Sequence, residues 1–250
     1  MLYLIMEPDL KIFTTPEIMA ESLSEEFYRY ANSCLLTRNK LNIALSGGNT
    51  PSLFFKFLSD FDQQKANKMD WRKIHFFWGD ERCVPPNHKE SNYGNANDLL
   101  FSKINIPESN IHRIEGENDP DEEVERYSNL LQKLVEQKGG IPIFDWIFLG
   151  LGEDGHTASI FPNQLGLMTS DKICEIGLHP DSGQKRITLT GTVLNMAKRI
   201  TFVVAGANKQ DVLSQIINRD RSAKDYPGAK IQAKNGKIDW YLDALAAEQI

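Results

Sequence analysis

Along most of the chain, short apolar runs of strand length alternate with longer segments of helical period. That rhythm points to an α/β fold in which helices cover a mostly parallel sheet. Residues 41–45, Leu-Asn-Ile-Ala-Leu, read as a buried strand that turns at Ser46-Gly47-Gly48-Asn49. Thr50 as N-cap and Pro51 behind it predict a helix with Leu53, Phe54, Phe57 and Leu58 on one face. Residues 73–78 predict a second strand, which empties into Gly79-Asp80-Glu81-Arg82. A loop stiffened by Pro85 and Pro86 then leads to a helix from about Ser91. Residues 121–138 are amphipathic, with Val124, Tyr127, Leu131, Leu134 and Val135 at helical spacing and Gly139-Gly140 as the expected stop. Residues 144–149 suit a central strand, followed by a glycine-rich turn to His156 and a short helix from Thr157. Further strands are expected at 174–178, 186–189 and 200–205, and a helix at 208–217.

At 250 residues the chain is long enough for one large α/β core or two small ones. It shows no internal repeat, low-complexity linker or break in composition, and the acidic stretch 116–123 is short enough to be a surface loop, so residues 1–250 are read as one domain. Lys and Arg number 28 against 34 Asp and Glu, a formal charge of −6. That balance provides no global field for nucleic acid or an anionic membrane, so any bound anion must be held locally. Cys34, Cys83 and Cys174 are far apart and odd in number, which argues against a disulfide framework or structural zinc and for a reducing cytoplasm. Residues 1–6 are apolar but too short and unflanked by basic residues to read as a signal peptide, and no window suits a membrane helix.

The loops at the carboxyl ends of the expected strands carry the chemistry, since ligands of such sheets collect there. Ser46-Gly47-Gly48-Asn49-Thr50 joins a strand to a helix N-terminus, where two glycines let the backbone approach an anion and first-turn amides point at it. The same residues also satisfy the needs of a plain tight turn. Arg82 is a candidate for a phosphate or a carboxyl-level oxygen, with Asp80 or Glu81 holding its geometry; an exposed ion-pair turn is the alternative. Gly150-Leu151-Gly152-Glu153-Asp154-Gly155 matches the dinucleotide fingerprint G-x-G-x-x-G, with Glu175 at a distance suited to a ribose. Two carboxylates inside that turn would repel a pyrophosphate, which argues against NAD. His156 directly behind them instead suggests an imidazole oriented by a carboxylate and able to take a proton from water. Lys209 at a helix start opposes the helix dipole unless an anion is near, and Arg186 opens an expected strand. No G-x-S-x-G, Walker or H-E-x-x-H motif is present, and the five histidines never fall at metal-ligand spacing, so no metal is expected.

Four ordered motifs, Ser46-Gly47-Gly48-Asn49-Thr50-Pro51, Trp78-Gly79-Asp80-Glu81-Arg82-Cys83-Val84-Pro85, Ser91-Asn92-Tyr93-Gly94 and the stretch from Leu149 through Asp154, Gly155 and His156 to Phe161-Pro162, closely resemble the 6-phosphogluconolactonase family. Arg186-Ile187-Thr188-Leu189-Thr190 and Asn208-Lys209 resemble its later elements, and the likeness fades from about Ile231. The resemblance implies an open three-layer αβα sandwich with a mostly parallel, Rossmann-like sheet, shared with glucosamine-6-phosphate deaminase and ribose-5-phosphate isomerase. It also implies hydrolysis of 6-phospho-D-glucono-1,5-lactone to 6-phosphogluconate in the pentose phosphate pathway, without metal or organic cofactor. The expected partner is a small phosphosugar lactone, not nucleic acid or membrane, bound by a cytoplasmic monomer or small homo-oligomer. On that reading Ser46, Gly47, Gly48, Thr50, Arg186 and Lys209 hold the phosphate. His156, oriented by Asp154, activates water, and Arg82, positioned by Asp80, meets either the oxyanion or the phosphate. The related deaminase motif carries an acid before its proline where this chain has Phe161, which argues against amino-sugar ring opening. Retention of both Asp154 and His156 argues against a binding-only regulator, which needs neither.

Overall fold

The structure, a computed structural model, describes residues 9–66, 68–234 and 236–250; the signal-peptide expectation for residues 1–6 lies outside them. In chain order the elements are β1 (Asp9–Phe13), α1 (Pro16–Leu35), β2 (Leu41–Leu45), α2 (Asn49–Gln64), β3 (Ile74–Trp78), β4 (Asp80–Arg82), α3 (Asn92–Leu99) and α4 (Pro120–Leu134). There follow β5 (Gln137–Lys138), β6 (Ile141–Pro142), β7 (Trp146–Leu149), β8 (Cys174–Leu178), β9 (Lys185–Leu189), α5 (Gly191–Leu194), β10 (Arg199–Val204), α6 (Gln210–Ile217) and β11 (Lys237–Asp243).

Six strands form a sheet in the order β1-β11-β10-β7-β2-β3, and every neighbouring pair is parallel. β2, β7 and β10 are buried along their whole length, so both faces of the sheet are covered. One face presents Phe76, Trp146 and Phe148 to Phe27 of α1 and, at Phe148, to Phe54 of α2. The alternate residues Phe77, Ile147 and Leu149 fill the other side and are equally buried. At the start of β10 the buried Arg199 stacks 3.8 Å from the Trp146 ring centre and pairs with Asp239 of β11 at 2.5 Å.

The strand order reverses beside β2. The chain steps from β2 to β3 on one side, whereas β7, β10 and β11 build away on the other. Loops leaving β2 and β7 therefore diverge, and a crevice opens at their carboxyl ends.

Several expectations need correction. β8 and β9 do not join the parallel sheet; they form a separate antiparallel sheet in the order β4-β9-β8. α4 stops at Leu134, and Gly139-Gly140, both at positive φ, turn a β5-β6 hairpin instead of ending a helix. No helix starts at Thr157, because its hydroxyl is bound to the Gly150 carbonyl, Ala158 has φ 48°, and Ser159 is held by Asp80 and Thr188. Thr50 is not an N-cap, since Gly48 occupies that place with φ 105° and no side-chain cap is made. β1, α1 and β11 lie beyond the expectations. α1 nonetheless carries its own start signal, Thr15 capping Ile18 N with Pro16 in the first turn, and buries Met19, Leu23, Phe27 and Ala31 on one face.

Away from the crevice, His75 Nδ1 and His112 Nε2 lie 2.9 Å apart with their rings stacked. Burial, and then the charges of His75 and Lys40, hold His112 down at about 4, against 6.5 for an ordinary histidine. The unfolded chain therefore binds the extra proton first, and stability should fall as pH drops from about 6.5 toward 4. A His112→Phe variant should show a flatter decline in thermal midpoint over that window; an unchanged slope would remove this pair from the acid response.

Candidate active site

The crevice is a cavity of about 190 Å³. Ser46, Gly47 and Gly48 after β2, Asp80 and Arg82 on β4, and Arg186 on β9 all line it. His156 from the loop after β7 and Lys209 from the loop after β10 line it as well. Thr50 lies one position into α2 and Asp154 sits behind His156; neither is part of the lining. Three side-chain cations, Arg82, Arg186 and Lys209, face one lining carboxylate, Asp80. This is a local positive field on a chain whose formal charge is −6.

β4 and β9 set Arg82 directly opposite Arg186 in the antiparallel register. Like charges in facing positions repel, and an anion between them relieves that repulsion. Burial, and then the Arg82 charge, lower the Arg186 pKa from its usual value. The Nε of Arg82 is buried without a hydrogen-bond partner, while its Nη1 donates to the Glu90 carbonyl at 2.5 Å. Asp80 does not position Arg82 as expected, because its Oδ2 is taken by the Ser159 hydroxyl at 2.7 Å. Glu81 is committed elsewhere too: its carboxylate accepts the Ser91 hydroxyl and the amides of Arg82, Asn92 and Tyr93. It thus anchors the first turn of α3, and burial raises its pKa against the pull of those amides.

That anchoring brings Asn92 into the cavity, a residue in the Ser91-Asn92-Tyr93-Gly94 motif to which the sequence reading assigned no role. Its Nδ2 donates to the Asp80 carbonyl at 2.9 Å, and its Oδ1 is buried with no partner. A Cβ on Gly47 would lie 1.7 Å from that Oδ1, so any larger residue there would displace the Asn92 amide. Gly48, which lines the cavity, is the N-cap of α2, and no side chain caps that helix start.

On the opposite wall, His156 Nδ1 lies 2.5 Å from Asp154 Oδ1, which also accepts the His156 amide at 3.1 Å. Burial works to raise the Asp154 pKa, but the bond to the imidazole and its charge outweigh it and leave the carboxyl lowered. An ionised Asp154 keeps the proton on Nδ1, so Nε2 carries the lone pair and is free to accept a proton. The imidazole packs 4.7 Å from the Phe161 ring centre. Phe161 in turn lies 5.6 Å under the Arg186 guanidinium. Lys209 has its pKa lowered by burial, against the nearby charges of Glu153 and Asp154. Among the described residues no group of three or more His, Cys, Asp or Glu is placed to hold a metal ion.

The fold and this cleft define a parallel-sheet α/β protein with an acid-backed histidine beside a glycine turn and three cations at the topological switch point. A family model described as "Glucosamine-6-phosphate isomerases/6-phosphogluconolactonase" matches residues 14–240, and the chain belongs to that family. It is 43% identical over 234 residues to a 6-phosphogluconolactonase of Haemophilus influenzae, covering 94% of this chain and 96% of that one. Among solved structures, a devB protein superposes with a TM-score of 0.90 at 45% identity, over 97% of this chain and 99% of that one. A 6-phosphogluconolactonase from Trypanosoma brucei superposes with a TM-score of 0.85 at 26% identity, over 98% and 99%.

A Cβ at Gly152 would lie 2.0 Å from His156 Nδ1 and 2.6 Å from Asp154 Oδ1. Gly152→Ala should therefore separate the pair while leaving the fold intact. The downfield Nδ1 proton resonance of His156 should be present in the parent and lost in the variant. Its persistence would mean that the turn absorbs the methyl group.

Proposed function

We infer that this chain is a 6-phosphogluconolactonase, an enzyme that hydrolyses 6-phospho-D-glucono-1,5-lactone to 6-phospho-D-gluconate in the pentose phosphate pathway. Its family membership and its high-coverage likeness to enzymes of that name support the reading. The structural observation that carries it is that His156, backed by Asp154, and the Gly47-Gly48 turn open onto one cavity of about 190 Å³.

In the proposed mechanism, Nε2 of His156 takes a proton from a water whose oxygen attacks the lactone carbonyl carbon. The tetrahedral alkoxide collapses, the bond from that carbon to the ring oxygen breaks, and the imidazolium returns the proton to the departing oxygen. Asp154 holds the imidazole in the tautomer this requires and stabilises its transient charge. Gly47, Gly48 and the first-turn amides of α2, with Arg186 and Lys209, hold the far phosphate; Ser46 and Thr50 flank that turn. The facing register of Arg82 and Arg186 supports assigning Arg82 to the phosphate too, not to the oxyanion. No step needs a metal or an organic cofactor, because the attacking water and the proton carrier are both accounted for.

We further propose that residues 1–250 form one domain, which a buried apolar core running from Met19 to Ala247 supports. The enzyme is read as a cytoplasmic monomer or small homo-oligomer that takes a small phosphosugar lactone and no nucleic acid. Its three free cysteines support that compartment, and its formal charge of −6 supports the lack of a nucleic-acid partner. No helix among the described residues is long and apolar enough to cross a membrane.

Purified protein should speed the decay of freshly prepared lactone above its spontaneous rate, and failure to do so would overturn the assignment. His156→Ala should lower kcat by about 10² to 10⁴ fold with a much smaller change in KM. Lys209→Ala should chiefly raise KM for the phosphorylated lactone; an equal loss on an unphosphorylated lactone would contradict its role at the phosphate.

A further inference from the structure

The turn bearing Asp154 and His156 is closed from within by two backbone bonds, Gly152 N to the His156 carbonyl at 2.9 Å and Gly155 N to the Gly152 carbonyl at 3.0 Å. Neither bond fixes the turn relative to the rest of the cleft. Asn208 Nδ2 donates to Glu153 Oε1 at 2.5 Å and the Thr157 hydroxyl to the Gly150 carbonyl at 2.9 Å, and the peptide next to His156 is held by a segment far along the chain. Gly155 has φ 81°, and a Cβ there would lie 2.4 to 2.7 Å from Cγ, Cβ and Cδ1 of Tyr226, so the tyrosine is packed directly against its backbone. Two residues on, the Gly228 amide donates to the Gly155 carbonyl at 2.9 Å. The turn is thus gripped on both sides of one peptide unit, next to His156.

The grip is tied back to the cleft. The Tyr226 hydroxyl donates to Gln215 Oε1 at 2.9 Å, and Gln215 lies on α6, the helix that begins directly after Lys209. Tyr226 is itself braced by its amide on the Ala223 carbonyl and by the Ala229 amide on its own carbonyl. A chain of contacts therefore runs from Lys209 through α6, Gln215 and Tyr226 to Gly155 and His156, beside the shorter link from Asn208 to Glu153. The two side chains it links are those assigned to opposite ends of the substrate.

We propose that Tyr226 is a positioning residue for the acid-histidine pair: its ring, packed on Gly155, fixes where His156 stands in the cleft. The proposal deepens the lactonase reading and rests on it for its kinetic consequence. A displacement of the imidazole by about 1 Å is enough to lower turnover by about a hundredfold, because reacting groups must meet in a narrow range of geometry. Substrate binding, spread over several cations and amides, is far less sensitive.

The test compares Tyr226→Ala, Tyr226→Leu and Tyr226→Phe with the parent, reading kcat, KM, thermal midpoint and a carbon-13 titration of the Asp154 carboxyl. Tyr226→Ala should lower kcat about ten- to a hundredfold with KM within about threefold, and the Asp154 carboxyl should titrate closer to the ordinary carboxylate range as its imidazole contact loosens. Tyr226→Phe, which keeps the ring, should restore kcat to within about threefold of the parent. Should the alanine variant fail to fold, Tyr226→Leu decides, with the same direction of change. Parent-like kcat and Asp154 titration in a folded Ala or Leu variant would overturn the proposal, as would a loss of kcat that only follows the folded fraction. If the parent itself fails to hydrolyse the lactone, the functional reading falls, while the Asp154 titration still settles whether Tyr226 positions the pair.

Discussion

Every feature of the cleft depends on one topological constraint, the reversal of strand order beside β2 in a wholly parallel six-stranded sheet. Parallel pairing sends all carboxyl ends to the same edge, and the reversal makes the loops after β2 and β7 part company. In the gap between them, a helix start and side chains from four different strand exits converge around a cavity. The Gly47-Gly48 turn stands on one side of it, and His156 on the other.

A smaller sheet completes the site. β4 leaves the main sheet directly after β3 and pairs with β9, which brings Arg186 opposite Arg82 from a point in the sequence about a hundred residues later. The same arrangement stitches the segment after His156 in place, because Ser159 is bound both to Asp80 and to Thr188. Electrostatics follows from this packing. A chain with an excess of acids concentrates three cations around a cavity, while the nearby carboxylates of Glu81 and Asp154 are hydrogen-bonded to the α3 amides and the imidazole.

Much of this was legible in the sequence. The three polar turns could be assigned to strand exits because β2, β3 and β7 are short apolar runs with helix-start or glycine signals behind them. The pairing of Asp154 with His156 followed from their separation of two residues across a glycine. Long-range partners were not legible. The spacing of Asp80 and Arg82 suggested an ion pair, but Ser159, a residue distant in sequence, takes the carboxylate instead. Thr157 to Phe161 carried no helix-breaking residue, yet tertiary bonds to Gly150, Asp80 and Thr188 override local propensity there. Asn92 entered the cavity through Glu81, and Tyr226 reached Gly155 from a stretch without any recognisable motif. Both contacts arise from packing across the sheet order, which periodicity does not encode.

The central claim is that one bound hexose derivative spans the cleft with its carboxyl-level carbon at His156 and its phosphate at the glycine turn. The most direct measurement is a crystal structure of the protein with 6-phosphogluconate. The account predicts a C1 carboxylate oxygen within hydrogen-bond reach of His156 Nε2, about 3 Å, and phosphate oxygens on the Gly47-Gly48 amides, Arg186 and Lys209. A ligand lying in the reverse sense, or one that leaves His156 untouched, would contradict it.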